Sequence, residues 1–95
     1  MQVYPFGAER SEAVAMSSEA IYQQLTEILR DLFDDDSLVA TPDLTADRVA
    51  GWDSFAHLRL MLTVERAFGV DFAASQITAL KNVGELATLI QSKLQ

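Results

Sequence analysis

The chain contains no cysteine, and its single histidine is His57. Without cysteine there can be no disulfide framework, so nothing in the composition marks the protein for an oxidising compartment. With one histidine, a histidine-based metal cluster or a nucleophile–histidine–acid triad would have to use His57 itself. His57 lies three positions after Ser54, with no evident third group to orient it, and is interpreted as a surface or pocket-lining residue. We therefore predict that the protein is not an enzyme.

Long apolar runs, glycine-rich loops and a basic leader are also missing. No stretch approaches the roughly 20 apolar residues that cross a bilayer, and the four glycines are isolated, which excludes a glycine-rich phosphate loop. The first residues lack a basic segment followed by an apolar run, so we expect no secretory signal. A cytoplasmic location is the expectation.

Positive charge is scarce. Seven basic residues face 14 acidic ones, for a net charge of −7. Nearly all of the imbalance lies in residues 17–53, where nine acidic residues accompany two arginines. An acidic surface is repelled by phosphate backbones and anionic lipids, so we expect neither nucleic acid binding nor membrane insertion. It would attract basic protein surfaces.

The chain contains enough apolar residues for one core, since 49% of its 95 residues are hydrophobic. Apolar residues recur every three or four positions, which predicts helices rather than strands. We expect an all-α, monomeric four-helix bundle with a short third helix. The expected helices span 18–33, 54–68 and 74–80, with a last one starting after Asn82. Residues 17–95 would form the domain, preceded by a peripheral or flexible extension over 1–16.

The helix ends carry local signals. Ser17 or Ser18 can cap the first helix, and Asp53 can cap the second. Asp34, Asp35 and Asp36 oppose the dipole at a helix C-terminus, which predicts a stop followed by a solvated loop rather than a metal site. Gly69 is suited to close the second helix.

A long connection over residues 34–53 separates the first two helices. Loops of this length in compact domains are usually functional or anchored by their own side chains. We predict that four apolar residues anchor it in the core: Leu38, Val39, Leu44 and Val49. The loop leaves the start of the next helix open to a partner.

The most informative stretch is the junction at residues 51–55, Gly-Trp-Asp-Ser-Phe. A serine in the first turn of a helix exposes its hydroxyl beside free backbone N–H groups, where an attached phosphate is favoured. Read from the residues alone, Ser54 is better explained as a helix cap or first-turn residue than as a modified one.

The chain nevertheless resembles the acyl carrier protein family over about residues 17–95. The resemblance rests on the junction at residues 51–55, on Glu65 with Phe68, and on Val70-Asp71-Phe72, followed by Ile77, Leu80 and Val83. It implies that Ser54 receives a 4′-phosphopantetheine arm from coenzyme A. It also implies that Asp53 assists the modifying synthase by helping to hold a magnesium ion.

The resemblance implies partners as well: a phosphopantetheinyl transferase such as holo-acyl-carrier-protein synthase, and acyl-loading, condensing or tailoring enzymes. Carriers of fatty acid synthesis usually have several acids along helix two, whereas Glu65 is the only acid in residues 54–68. This departure favours a specialised, polyketide-type or secondary-metabolic pathway. The predicted partner-binding residues are Phe55, Ala56, Arg59, Met61, Leu62 and Arg66.

Two alternatives stay open at this point. A peptidyl or aminoacyl carrier would use the same arm for a different cargo, and an unmodified helical interaction module would use none. If the cargo is acyl, part of it can be sheltered inside the bundle. The residues expected to line that interior, or simply to form the core, are Leu60, Met61, Leu62, Ile77, Leu80 and Leu86.

Overall fold

The computed structural model describes residues 16–94, and over this range the chain forms helices and no strand. The four α-helices are α1 (Ser18–Phe33), α2 (Ser54–Phe68), α3 (Ala74–Ala79) and α4 (Val83–Leu94), with a short 3-10 helix (Ala46–Arg48) between α1 and α2. The predicted all-α architecture with a short third helix is confirmed. The extension predicted over residues 1–16 lies outside the described residues, except for Met16.

The ends of α1 follow from its flanking residues. The Ser17 hydroxyl oxygen accepts a hydrogen bond from the Ala20 N–H at 3.1 Å, which caps the helix start. Asp34 adopts the left-handed conformation (φ 52°) and ends the helix, and its N–H donates to the Arg30 carbonyl. Aspartate tolerates this conformation better than most residues. The predicted bounds and stop signal of α1 are confirmed.

The core is built by α1 packing against both α2 and α4. No polar or charged side chain is buried among residues 16–94, so apolar burial is the main stabilising term for these helices. No helix in this range is long and apolar enough to span a membrane. The side chains that are almost completely buried are Ile21, Leu25, Leu29, Leu60, Met61, Val64, Val83 and Ile90.

The long loop is fastened to the helices by hydrogen bonds. Near its start, the Arg30 Nε–H donates to the Leu38 carbonyl at 2.7 Å. The Ala40 N–H donates to the Thr26 hydroxyl at 2.9 Å. Both bonds tie the loop to α1, so the loop is held in place rather than spanning freely between α1 and α2.

The middle of the loop is fastened to the start of α4. The N–H groups of Val83 and Gly84 donate to the carbonyls of Leu44 and Pro42, each at 2.9 Å. A Cβ atom at Gly84 would lie 2.8 Å from the Pro42 carbonyl oxygen, closer than a side chain permits. Glycine is therefore required at position 84 by close approach of the loop backbone.

The predicted apolar anchors of the loop are confirmed at three of four positions. Val49 is buried, and Leu38 and Leu44 are half-buried against the core. The prediction is wrong for Val39, whose side chain is 52% exposed. Ala40 is buried instead, because successive side chains of a non-helical segment point to opposite sides.

Side-chain caps also fix the second half of the domain. The Glu65 carboxylate accepts a hydrogen bond from the Phe72 N–H at 2.8 Å, which holds the segment between α2 and α3 and keeps Phe72 in the core. At α4, Asn82 Oδ1 accepts from the Glu85 N–H at 2.8 Å. The Glu85 carboxylate in turn accepts a hydrogen bond from the Lys81 N–H at 2.8 Å, so the start of α4 is held by a pair of reciprocal bonds.

Candidate functional site

Ser54 is the first residue of α2 and its side chain is exposed. The cap of this helix is Asp53, whose Oδ1 accepts a hydrogen bond from the Ala56 N–H at 2.9 Å. The Asp53 carbonyl accepts a second one from the His57 N–H at 2.9 Å. The prediction that Asp53 caps this helix is confirmed, and of the two positions open to Ser54, cap or first turn, the structure shows the first turn. The capping bond does not use the serine hydroxyl, which is left for another role.

The turn that presents Ser54 depends on Gly51 and Trp52. Gly51 has a φ of 86°, in the region that favours glycine, and its carbonyl accepts a hydrogen bond from the Asp53 N–H at 3.0 Å. The Trp52 ring then packs against Phe33 at the end of α1, with ring centroids 5.4 Å apart. The backbone before Ser54 is thus fixed by a tight turn and an aromatic contact.

His57 joins this turn to α3. The Trp52 Nε1–H donates to His57 Nδ1 at 3.2 Å, and His57 Nε2 lies 3.3 Å from the Ile77 carbonyl oxygen. An indole N–H can only donate, so Nδ1 must accept and the ring hydrogen of the neutral imidazole belongs on Nε2, facing Ile77. We call this arrangement the Trp52–His57–Ile77 bridge.

Sequence reasoning placed His57 at a surface or pocket and missed this bridge. The available signal was indirect: the only tryptophan and the only histidine stand five positions apart, across a helix start. Nothing in that spacing shows that the partner on the other side is a backbone carbonyl 20 residues later.

An open groove of about 390 Å³ begins at Ser54. Its walls combine the cap, the bridge and α3, with mostly apolar surface. The lining residues are Ala46, Trp52, Asp53, Ser54, His57, Ile77, Thr78 and Leu80. A much smaller and more enclosed cavity, about 40 Å³, lies deeper and reaches Met61 and Leu86.

Local hydrogen bonds shape the acidic loop. The Ser37 hydroxyl and N–H both donate to Asp35, and they hold the pKa of that carboxyl below its usual range. The Thr41 hydroxyl does the same for the pKa of Asp43. Over residues 16–94 no three histidine or carboxylate side chains converge as a metal site would require.

Comparison with known proteins identifies the family. Residues 23–90 match the family model described as the phosphopantetheine attachment site. An acyl carrier protein of Coprothermobacter proteolyticus is 32% identical over 81 residues, which cover 83% of this chain and 96% of that protein. The chain belongs to the acyl carrier protein family.

The fold agrees with that assignment. The solution structure of a holo acyl carrier protein from Geobacter metallireducens superposes with a TM-score of 0.73 at 41% identity. The match covers 77% of this chain and 84% of that one. Acyl carrier proteins are carriers and not enzymes, and they work with phosphopantetheinyl transferases and biosynthetic enzymes.

The carrier has a phosphopantetheine prosthetic group, and the residues around Ser54 fit it. An exposed hydroxyl at the start of a 15-residue helix lies where the helix end favours a phosphate. The adjoining groove offers apolar surface along which an extended arm can lie.

The structure separates the predicted partner-binding residues into two groups. Phe55 is 79% exposed, and Arg59, Leu62 and Arg66 are exposed as well. Two others are buried, so their predicted place at the partner surface is wrong: Ala56 and Met61, the latter 1% exposed.

The periodicity of α2 explains both errors. Ala56 precedes Leu60 by one helical turn and continues the buried stripe through Val64, while Met61 lies three residues before Val64 on the adjoining face. Leu62, which was also expected to line the interior, points outward. Of the other residues expected inside, Ile77 and Leu80 line the groove, Leu80 and Leu86 line the small cavity, and Leu60 is core.

Proposed function

We propose that Ser54 carries the phosphopantetheine arm and that the protein presents acyl groups as thioesters at the end of it. The observation that carries this proposal is that Asp53 and Ser54 have different roles at the start of α2. Asp53 makes the capping bond, while the neighbouring hydroxyl stays exposed at the mouth of an apolar groove. The second carboxylate oxygen of Asp53 is suited to assist the modifying synthase by facing its magnesium ion.

The test is to incubate the full chain with coenzyme A, magnesium and a promiscuous phosphopantetheinyl transferase. We expect the intact mass to rise by one phosphopantetheinyl group, and peptide mapping to place that group on Ser54. No mass change in a folded sample would contradict the carrier function. A group on another residue would contradict the site alone.

The pathway is proposed to be a specialised one, of polyketide or other secondary-metabolic type. The exposed surface of α2 has apolar side chains at Phe55, Leu58 and Leu62, interspersed with the cations Arg59 and Arg66. We name these five residues the α2 surface. The single acid of α2, Glu65, is occupied by the Phe72 N–H. A partner that presents a basic patch is therefore poorly matched to this surface.

Charge reversal should change this preference. We expect Arg59→Glu and Arg66→Glu each to tighten binding to a basic-patch condensing enzyme of fatty acid synthesis by about two- to fivefold, the usual range for an exposed ion pair. Binding to the carrier's own loading or condensing enzyme should weaken. Dissociation constants from titration calorimetry would measure both effects.

Lys93→Glu is the matched control, because it makes the same change of charge at an exposed position of α4, outside the α2 surface. It should alter neither binding constant. Equal effects from all three variants would mean that only net charge matters, and unchanged binding in both arginine variants would argue against the proposed surface.

We further propose that residues 17–95 form the carrier domain and that the protein acts in the cytoplasm, where coenzyme A supplies the arm. Met16 packs against the core and its carbonyl accepts a hydrogen bond from Gln91 Nε2 at 3.4 Å. We expect a chain beginning at Met16 to melt at the same temperature as the full chain. A clear loss of melting temperature after removal of residues 1–15 would refute the proposed boundary.

A further inference from the structure

The groove at Ser54 and the deeper cavity share four lining residues: Ala46, Trp52, His57 and Leu80. These residues therefore form the partition between the open space beside the attachment point and the enclosed space inside the bundle. Two of them, Trp52 and His57, are joined across it by a hydrogen bond and by ring stacking at 6.2 Å between centroids. The two rings, held to each other, thus form part of the wall that the groove and the cavity share.

The space behind the partition is small. Its volume is about 40 Å³, against about 390 Å³ for the groove. A chain of several methylenes can enter only if the rings separate. Separation would break both hydrogen bonds of His57, to the Trp52 N–H and to the Ile77 carbonyl, which join half-buried groups, so the rings resist opening.

We propose that His57 is a specificity-determining residue that restricts this carrier to short acyl groups. With the Trp52–His57–Ile77 bridge intact, a short group lies in the groove and a longer chain stays outside, exposed to solvent and partners. The proposal rests on the proposed attachment at Ser54, because the groove begins at that residue. The bridge uses His57 Nδ1 as the acceptor of the Trp52 N–H, and the charged groups lining the two spaces beside the imidazole are Asp53 and Lys81.

The variants are chosen to distinguish loss of the hydrogen-bonded bridge from a simple gain of space in the groove. His57→Ala removes the bridge and enlarges the passage. His57→Gln retains one acceptor and one donor for the bridge. Thr78→Ala is the control, because Thr78 lines the groove but not the deeper cavity.

Each protein is loaded with acetyl-, butyryl-, hexanoyl- or octanoyl-phosphopantetheine from the corresponding coenzyme A thioester, and peptide mapping confirms the modified residue. Urea unfolding then gives an equilibrium constant for each cargo. One buried methylene lowers the equilibrium constant of unfolding by about fourfold, or about 0.8 kcal/mol. In His57→Ala we therefore expect the octanoyl form to have an unfolding constant at least tenfold lower than the acetyl form, which means that it is more stable. Wild type, His57→Gln and Thr78→Ala should show no such gain.

Trp52 supplies a second readout, because it is the only tryptophan of the chain. Its indole ¹H–¹⁵N resonance should stay in place in wild type for every cargo and shift with chain length in His57→Ala. The proposal is overturned if octanoyl stabilises the wild type, or if His57→Ala shows the same response as wild type. Failure of loading at Ser54 would instead overturn the proposed function, and with it this inference.

Discussion

Ser54→Ala should eliminate phosphopantetheine attachment completely while leaving the fold intact. The serine oxygen is the atom that would form the phosphodiester, and alanine has no replacement for it. The helix should not suffer, because the capping bond belongs to Asp53 and alanine has a higher helix propensity than serine. We expect an unchanged mass after incubation with coenzyme A and transferase, and a melting temperature equal to or slightly above that of wild type.

Two variants make this result specific. Ser75→Ala removes another exposed serine near a helix start and should be modified as fully as wild type. Asp53→Ala should lose about 1 kcal/mol of stability through the missing cap and should be modified more slowly. Any phosphopantetheinyl group found on the Ser54→Ala protein would show that the attachment site lies elsewhere.

Leu60→Ala should cause the largest loss of stability on α2. The Leu60 side chain is completely buried in the core between the helices. Removing such a side chain usually costs about 2–5 kcal/mol, because apolar contacts are lost and a cavity remains. At about 4–8 °C per kcal/mol for a domain of this size, we expect the melting temperature to fall by roughly 10 °C or more.

Leu58→Ala is the matched control, since it makes the same truncation two residues earlier on the same helix. Leu58 is 54% exposed, so its loss should cost well under 1 kcal/mol. Chemical denaturation of both variants would give the two free energies. Similar losses for Leu58 and Leu60 would contradict the orientation of α2.

The helices and their ends were predictable because their signals are local. Apolar spacing, the Ser17 and Asp53 caps and the stop at Asp34 act within one or two turns of chain, and the structure confirms all of them. Which residues of α2 are buried was only partly predictable. The stripe containing Leu60 and Val64 was recognised, but Ala56 was left off it although it lies one turn earlier on the same face.

Features that depend on distant partners escaped prediction. Whether Val39 or Ala40 faces inward depends on where the loop packs on α1. That position is fixed by the hydrogen bond from the Ala40 N–H to the Thr26 hydroxyl. The bridge at His57 requires a carbonyl of α3, which no periodicity reveals. The role proposed for Ser54 came from resemblance to a family, since the residues around it favoured a cap or first-turn position without modification.

The hydrogen bonds from Val83 and Gly84 to the loop also determine how the molecule opens to solvent. Amide hydrogens in the first turn of a helix normally lack a partner and exchange quickly. In this protein both amides are held by loop carbonyls, so their exchange should be slow and should occur only when the loop and the start of α4 separate. In its local unfolding, the loop before Ser54 is therefore coupled to the C-terminal helix rather than to α1 and α2 alone.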